Sequence, residues 1–225
     1  MKELNKKALG GLLRLFVTLA ALLFLPAWSL RYWQAWVFLC AFFAPILGIT
    51  SYLMRHDPAL LERRVDAGPG AEKERTQRII QGLAAIAFFA VILLPSFDHR
   101  FGWSRVPAYV SLAGDLLVVL GLLVIFFVFK ENTYASGTIE VGAGQKVIST
   151  GPYGRVRHPM YSGAIVMLLG LPLALGSWWG LLALVPFTLV ILWRLLDEEN
   201  FLARNLPGYS EYRSKVRYRL VPLVW

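Results

Sequence analysis

The chain has 225 residues, of which 57% are hydrophobic and only 16% charged. That is too apolar for an ordinary soluble domain, where about half the residues are apolar and a quarter charged. Its formal charge of +9 fits basic loops flanking membrane spans better than nucleic-acid binding. A single cysteine, Cys40, rules out a disulfide framework within the chain, and three scattered histidines offer no metal site.

In chain order, the first apolar run extends from Ala8 to Leu30 behind Lys2, Lys6 and Lys7. No small-x-small cleavage site follows, so a retained membrane helix is predicted, with Arg14 reaching back toward the headgroups along its own apolar stem. Trp33 to Met54, Ile79 to Phe97 and Val106 to Phe129 follow, each near the ~20 residues that cross the hydrocarbon. Met160 to Leu175 and Trp178 to Leu196 are the fifth and sixth runs. Only Gly176-Ser177 separates them, which predicts a tight helical hairpin with Trp178 and Trp179 at the interface. The expected fold is therefore an all-α polytopic membrane protein of about six transmembrane helices, one membrane domain over 1–225. It comprises a four-helix part, 1–129, and a catalytic part, 130–225.

Between the second and third runs, Asp57-Pro58 has the form of a helix cap followed by proline at the first turn. Gly68-Pro69-Gly70 should break that helix before Glu72 begins another, giving an amphipathic piece lying on the surface. The segments at 1–7, 54–78, 130–157 and from Arg194 onward hold 19 of the 23 Lys and Arg residues. The opposite connections hold only Arg31, Arg100 and Arg105. An even number of spans with this bias places both termini, and the 130–157 segment, in the cytoplasm.

Chemistry-bearing residues cluster in two places. Gly151-Pro152-Tyr153-Gly154-Arg155-Val156-Arg157-His158-Pro159-Met160-Tyr161 is a dense polar and aromatic run in which Pro159 suits the first position of a helix. Arg157 and His158 should then lie at a helix N-terminus, whose dipole favours an anionic group, and His158 and Tyr161 should share a face with Gly163 nearby. The sixth run ends in Arg194-Leu195-Leu196-Asp197-Glu198-Glu199. Arg194 and Glu198 are four apart and within reach of each other on one helix face. A hairpin brings the two clusters together, roofed by the 131–157 loop and the Tyr209/Tyr212 segment, as a small-molecule pocket.

Other features carry less. Gly142-Ala143-Gly144 lacks the third glycine and the βαβ setting of a dinucleotide loop. Asp115 falls inside the fourth span toward its outer half, where an ionisable group raises a question of function. Gly163, Gly170 and Ala174 form a smooth strip open to close approach by another helix or by a flat ligand ring, with helix packing the expected use. Tyr209, Tyr212, Tyr218 and Trp225 interleave with Arg213, Lys215, Arg217 and Arg219 in a tail suited to anionic headgroups.

Taken together, R-H-P-x-Y-x-G (Arg157, His158, Pro159, Tyr161, Gly163) and, one hairpin later, E-E-x-x-L (Glu198, Glu199, Leu202) followed by tyrosines resemble one known family. This is the isoprenylcysteine carboxyl methyltransferase family, with its relatives the phospholipid N-methyltransferases; the resemblance covers roughly 130–225. It implies an S-adenosylmethionine-dependent membrane methyltransferase with its pocket facing the cytoplasm. His158 and Tyr161, with Arg157, Pro159, Gly163 and Leu202 around them, would hold the cofactor's amino-acid end, and Glu199 its ribose hydroxyls. Arg194 would orient the methyl acceptor. Where prenylcysteine enzymes commonly carry Phe-Gly before the tyrosines, this chain has Leu206-Pro207-Gly208.

The residues suit that chemistry. A helix N-terminus suits a carboxylate, and a glutamate accepts two hydrogen bonds from a vicinal diol. Methyl transfer from a sulfonium needs alignment and exclusion of water more than acid–base help. A carboxylate acceptor would be gripped by Arg194 without a base; a thiol or amine must lose a proton, for which Glu198 is the candidate. The expected partners are S-adenosylmethionine, a lipophilic or small acceptor and the bilayer. Two alternatives stand beside this. One is an NADPH-dependent membrane reductase of the sterol reductase type, which shares R-H-P-x-Y and the V-x-Y-R-x-x-P run found here at Val216 to Pro222. The other is a non-enzymatic membrane interaction protein.

Overall fold

A computed structural model of the protein describes residues 1–65, 75–142 and 144–225. The described chain is helical, without strands: α1 (Lys2–Ala27), α2 (Trp33–His56), α3 (Pro58–Val65), α4 (Arg75–Phe101), α5 (Ala108–Glu131), α6 (Pro159–Ala174), α7 (Gly180–Asn205) and α8 (Tyr209–Lys215). A single 3-10 turn, Gly151–Gly154, precedes α6. Helices α1, α2, α4, α5 and α7 are each long and apolar enough to cross a bilayer. Prolines 26, 45, 95 and 186 lie within four of them, as membrane helices tolerate where neighbours re-satisfy the freed carbonyls.

The expected fifth span is the exception. Helix α6 has 16 residues, about 24 Å at 1.5 Å per residue, short of the ~30 Å hydrocarbon core. It nevertheless runs antiparallel alongside α5, backbone against backbone. A Cβ on Gly121 would lie 2.5 Å from the Gly163 carbonyl oxygen, and one on Gly163 only 2.8 Å from that of Gly121. Seven residues along, a Cβ on Gly114 would sit 2.3 Å from the Ala174 nitrogen, and one on Gly170 2.5 Å from the Gly114 carbonyl oxygen. No side chain fits in that seam, so the glycine strip on α6 is a packing surface with a matching strip on α5.

The connector between α6 and α7 is five residues, Leu175 to Trp179, longer than the two-residue bend expected. Gly176 turns the chain through a left-handed conformation (φ 72°), which glycine adopts without strain. Ser177 Oγ accepts the Gly180 amide at 2.9 Å and donates to Asp98. Asp98 also accepts the Ser104 amide and hydroxyl, each at 2.6 Å. This buried clasp joins the end of α4 to the start of α7, and Tyr32 adds a hydrogen bond to the Leu175 carbonyl at 2.6 Å. Consequently α6 packs chiefly on α5 and α7 chiefly on α4. The two arms of the hairpin are wedged among neighbours rather than zipped to each other.

The main core fills the centre of this bundle with Leu19, Leu23, Phe38, Leu39, Val118 and Leu171. Asp57 caps α3 as its sequence predicted, its Oδ1 accepting the Leu60 amide at 3.0 Å. Leu60 and Leu61 then drive α3 into a second cluster with Leu53, Val128 and Phe129. The expected break at Gly68-Pro69-Gly70 and the helix start at Glu72 lie outside the described residues. So does Ala143, the middle of the Gly142-Ala143-Gly144 run. Asp115 is buried on α5, and neither oxygen has a hydrogen-bond partner among the described residues.

Candidate functional site

The start of α6 and the end of α7 meet. Tyr161 donates its hydroxyl proton to Glu198 Oε2 at 2.7 Å, and His158 Nε2 lies 3.2 Å from Glu199 Oε1. Arg194 donates from Nε to the Tyr161 hydroxyl at 3.2 Å and from Nη2 to the Gly137 carbonyl at 3.0 Å. Arg194 and Glu198 are thus linked through Tyr161.

The paired glutamates take different surroundings, because adjacent helical residues point about 100° apart. Glu199 is only 2% exposed. Its Oε1 accepts from Arg157 Nε at 2.6 Å, and its Oε2 from Arg219 Nε at 3.0 Å. A buried carboxylate is costly unless paired and hydrogen-bonded, and two guanidiniums and an imidazole meet that need here. Arg157 continues to the Val216 and Arg217 carbonyls at 2.9 and 3.0 Å. The backbone N–H groups of Arg157 and His158 donate to the Tyr218 and Arg219 carbonyls, each at 2.9 Å. The approach to the α6 N-terminus, expected to greet an anion, is therefore partly occupied by the chain's own last residues.

Glu198 instead faces a cleft of about 790 Å³ including its open mouth. Its walls are the α6 start from Arg157 to Tyr161, the α7 end with Glu198, Leu202 and Leu206, the 132–148 segment, and α8. The loop and the Tyr209/Tyr212 segment stand where the sequence put a roof. Tyr134, Tyr153, Tyr209 and Tyr212 give the cleft an aromatic lining. Burial, partly relieved by the hydrogen bond from Asn132, pushes the Tyr153 phenol up to about 12. Burial likewise pushes Tyr209 and Tyr212 well up, helped by the Glu199 charge at Tyr209 and by Tyr153 at Tyr212. All three remain neutral hydrogen-bonding groups at physiological pH. Tyr212 uses its proton on the Tyr153 carbonyl at 2.8 Å. The Tyr209 hydroxyl is buried with no partner among the described residues.

Of the residues singled out in sequence, Arg157, His158, Pro159, Tyr161, Glu198 and Leu202 border the cleft. Gly163 lies in the α5 seam and Glu199 behind the wall, while Arg194 touches the wall through Tyr161. The tail is not simply a membrane-facing strip: Tyr209 and Tyr212 turn inward and Arg219 closes on Glu199. Nothing in the spacing announced Arg219; a tandem of glutamates needing one nearby cation was the available hint. Asn132 and Tyr153, bonded at 2.9 Å, were likewise not singled out individually within the long loop.

A comparison with a known family falls on this same part of the chain. The model of the phospholipid methyltransferase family matches residues 109–207. The chain is also 27% identical over 141 residues to mouse (Mus musculus) Delta(14)-sterol reductase TM7SF2, a match covering 53% of this chain and 33% of that protein. With the lamin-B receptor of Drosophila melanogaster it shares 32% identity over 153 residues, covering 59% of this chain and 20% of the receptor. The chain thus spans a third or less of the length of these relatives. Residues 109–207, which carry α5, the loop, α6, α7 and most of the cleft wall, are similar to the phospholipid methyltransferase family, the family group that the paired motifs resembled.

Proposed function

We propose that this integral membrane protein is an S-adenosylmethionine-dependent methyltransferase acting on a lipophilic or small acceptor. The observation that carries the reading is the Tyr161–Glu198 contact at 2.7 Å, which sets a histidine-bearing helix start and an acidic helix end around one cleft. The cleft suits such a cofactor by its lining, rings together with a few convergent polar groups. Its walls supply a carboxylate, a histidine and several rings, and the buried Tyr209 hydroxyl has no hydrogen-bond partner among the described residues.

In this reading Arg157, His158, Pro159, Tyr161 and Leu202 surround the cofactor. Glu198, which faces the cleft, is better placed than the triply bonded Glu199 to accept the ribose hydroxyls or the proton of a thiol or amine acceptor. When bound, the cofactor supplies an electrophilic methyl group. The protein's own task is alignment and exclusion of water, effects worth up to about 7–11 kcal/mol in well-oriented systems. Arg194, on the far side of Tyr161, orients an anionic acceptor. We further infer from the 19 basic residues on one set of segments that both termini and the cleft face the cytoplasm.

A second reading is supported by the likeness to a sterol reductase: the same cleft would take NADPH. Calorimetric titration of detergent-purified protein separates the two. Saturable binding of S-adenosylmethionine or S-adenosylhomocysteine, and none of NADPH, is expected; the reverse would replace the methyltransferase reading with the reductase one.

A further inference from the structure

The end of the bundle that carries the cleft has a second polar assembly, where α2 and α5 pack together and finish. The His56 ring stacks on the Tyr52 ring with centroids 4.3 Å apart, and Tyr52 meets Phe126 of α5 edge-on at 5.1 Å. Lys130 Nζ lies 5.9 Å from the centre of the Phe126 ring. The two helix ends are thus joined by a pair of touching rings, one carrying His56 and the other Lys130. Arg55, three residues after Tyr52, adds a further basic side chain on that side of α2. None of these residues is a cleft wall.

Arg55, His56 and Lys130 are exposed, and none has a carboxylate partner among the described residues. The carboxylates next to them in the chain are engaged elsewhere: Asp57 caps α3, and Glu131 accepts from Thr150. His56 is also fixed in orientation. A carbonyl only accepts, so Nδ1 donates to that of Tyr52 at 3.0 Å, which leaves Nε2 without a partner among the described residues. The assembly sits at headgroup level. Helix α2 has 24 residues, about 36 Å at 1.5 Å per residue, against a hydrocarbon core of ~30 Å. Exposed Trp33 and Trp36 mark its opposite end as one interface, so Arg55 and His56 emerge at the other.

We propose that Arg55, His56 and Lys130 form a binding site for the phosphate of an anionic phospholipid, in the leaflet on the cleft side. Each Lys or Arg near a membrane surface is worth roughly five-fold in affinity for anionic lipid. Scattered basic residues give that attraction diffusely; here rings and a carbonyl hold the donors in place across two helices, which makes the site local and saturable. The proposal does not rest on the methyltransferase reading.

The test uses the full chain in neutral detergent, titrated with dioleoyl phosphatidylglycerol, dioleoyl phosphatidylcholine or inorganic phosphate while the thermal unfolding midpoint is followed. A saturable rise with phosphatidylglycerol alone is expected. Arg55→Gln/Lys130→Gln should raise its half-saturating concentration about ten-fold or more. Arg31→Gln/Arg105→Gln, which removes two exposed charges before the starts of α2 and α5 at the opposite end, should leave it unchanged. Equal loss in the two double variants would reveal only a general attraction to a basic protein and overturn the site. An equal response to phosphatidylcholine, or to phosphate, overturns the assignment to an anionic lipid. If the first double variant does not fold, Lys130→Gln alone decides: an unaltered half-saturating concentration overturns the site, and a loss that Lys130→Arg recovers supports it.

Discussion

Glu198 and Glu199 are consecutive in the chain but do different work: the first meets Tyr161 at the cleft, the second is enclosed by Arg157, His158 and Arg219. The family resemblance assigned the ribose hydroxyls to Glu199. Its enclosure recommends it as the tie between α6, α7 and the last residues of the chain.

Substitution should separate these roles. Glu199→Gln leaves Arg157 buried without its counter-charge, a change that typically costs about 3–5 kcal/mol, so its thermal unfolding midpoint in detergent should fall by several degrees. Glu198→Gln should unfold close to wild type yet lose cofactor affinity or turnover. Equal unfolding midpoints for the two variants would contradict the division.

The α5–α6 seam gives a second expectation. Gly121→Ala or Gly163→Ala drives a methyl group into opposing backbone, and overpacking of this kind costs about 1–3 kcal/mol. Gly48→Ala on α2, where a Cβ meets nothing within 4 Å, should leave the unfolding midpoint unchanged or slightly raised.

At the opposite end of the bundle, Ser177→Ala removes the hydroxyl that bridges Asp98 and the Gly180 amide. The expected result is a loss of about 1–3 kcal/mol from polar groups left unsatisfied, with S-adenosylmethionine affinity retained. Loss of binding without loss of stability would mean that this clasp communicates with the cleft.

Alkaline titration tests the aromatic lining. Tyr153 has its phenol pKa raised in the fold to about 12 from the ordinary 10.0. Its contribution to stability is fully present below pH 10 and is lost as pH rises through 12. Tyr153→Phe should therefore lose less stability than wild type between those values, as measured by denaturant unfolding at each pH. An identical alkaline profile for both proteins would show that the phenol is not so shielded.

Much of this architecture could be read from the chain because membrane helices announce themselves by uninterrupted apolar length, and the Asp57-Pro58 cap by local chemistry. The meeting of His158 and Tyr161 with the acidic end of α7 followed from the hairpin alone. What could not be read were pairings across long separations. Asp98 with Ser177, and Glu199 with Arg219, depend on where helices stop and how they lean, which short polar motifs do not encode. The glycine strip on α6 was visible, whereas its mates Gly114 and Gly121 passed as ordinary small residues in an apolar run. Their seven-residue spacing acquires meaning only once the partner helix is known.

The glycine seam has a mechanical corollary. Two backbones in direct contact leave no slack, so sliding or tilting α6 along α5 drives backbone into backbone or into the flanking Val124, Ile125 and Met167 side chains. The floor carrying His158 and Tyr161 is thus an anvil at fixed depth. Whatever enters or leaves the cleft has to pass its other walls, the 132–148 segment and the final residues latched through Arg157.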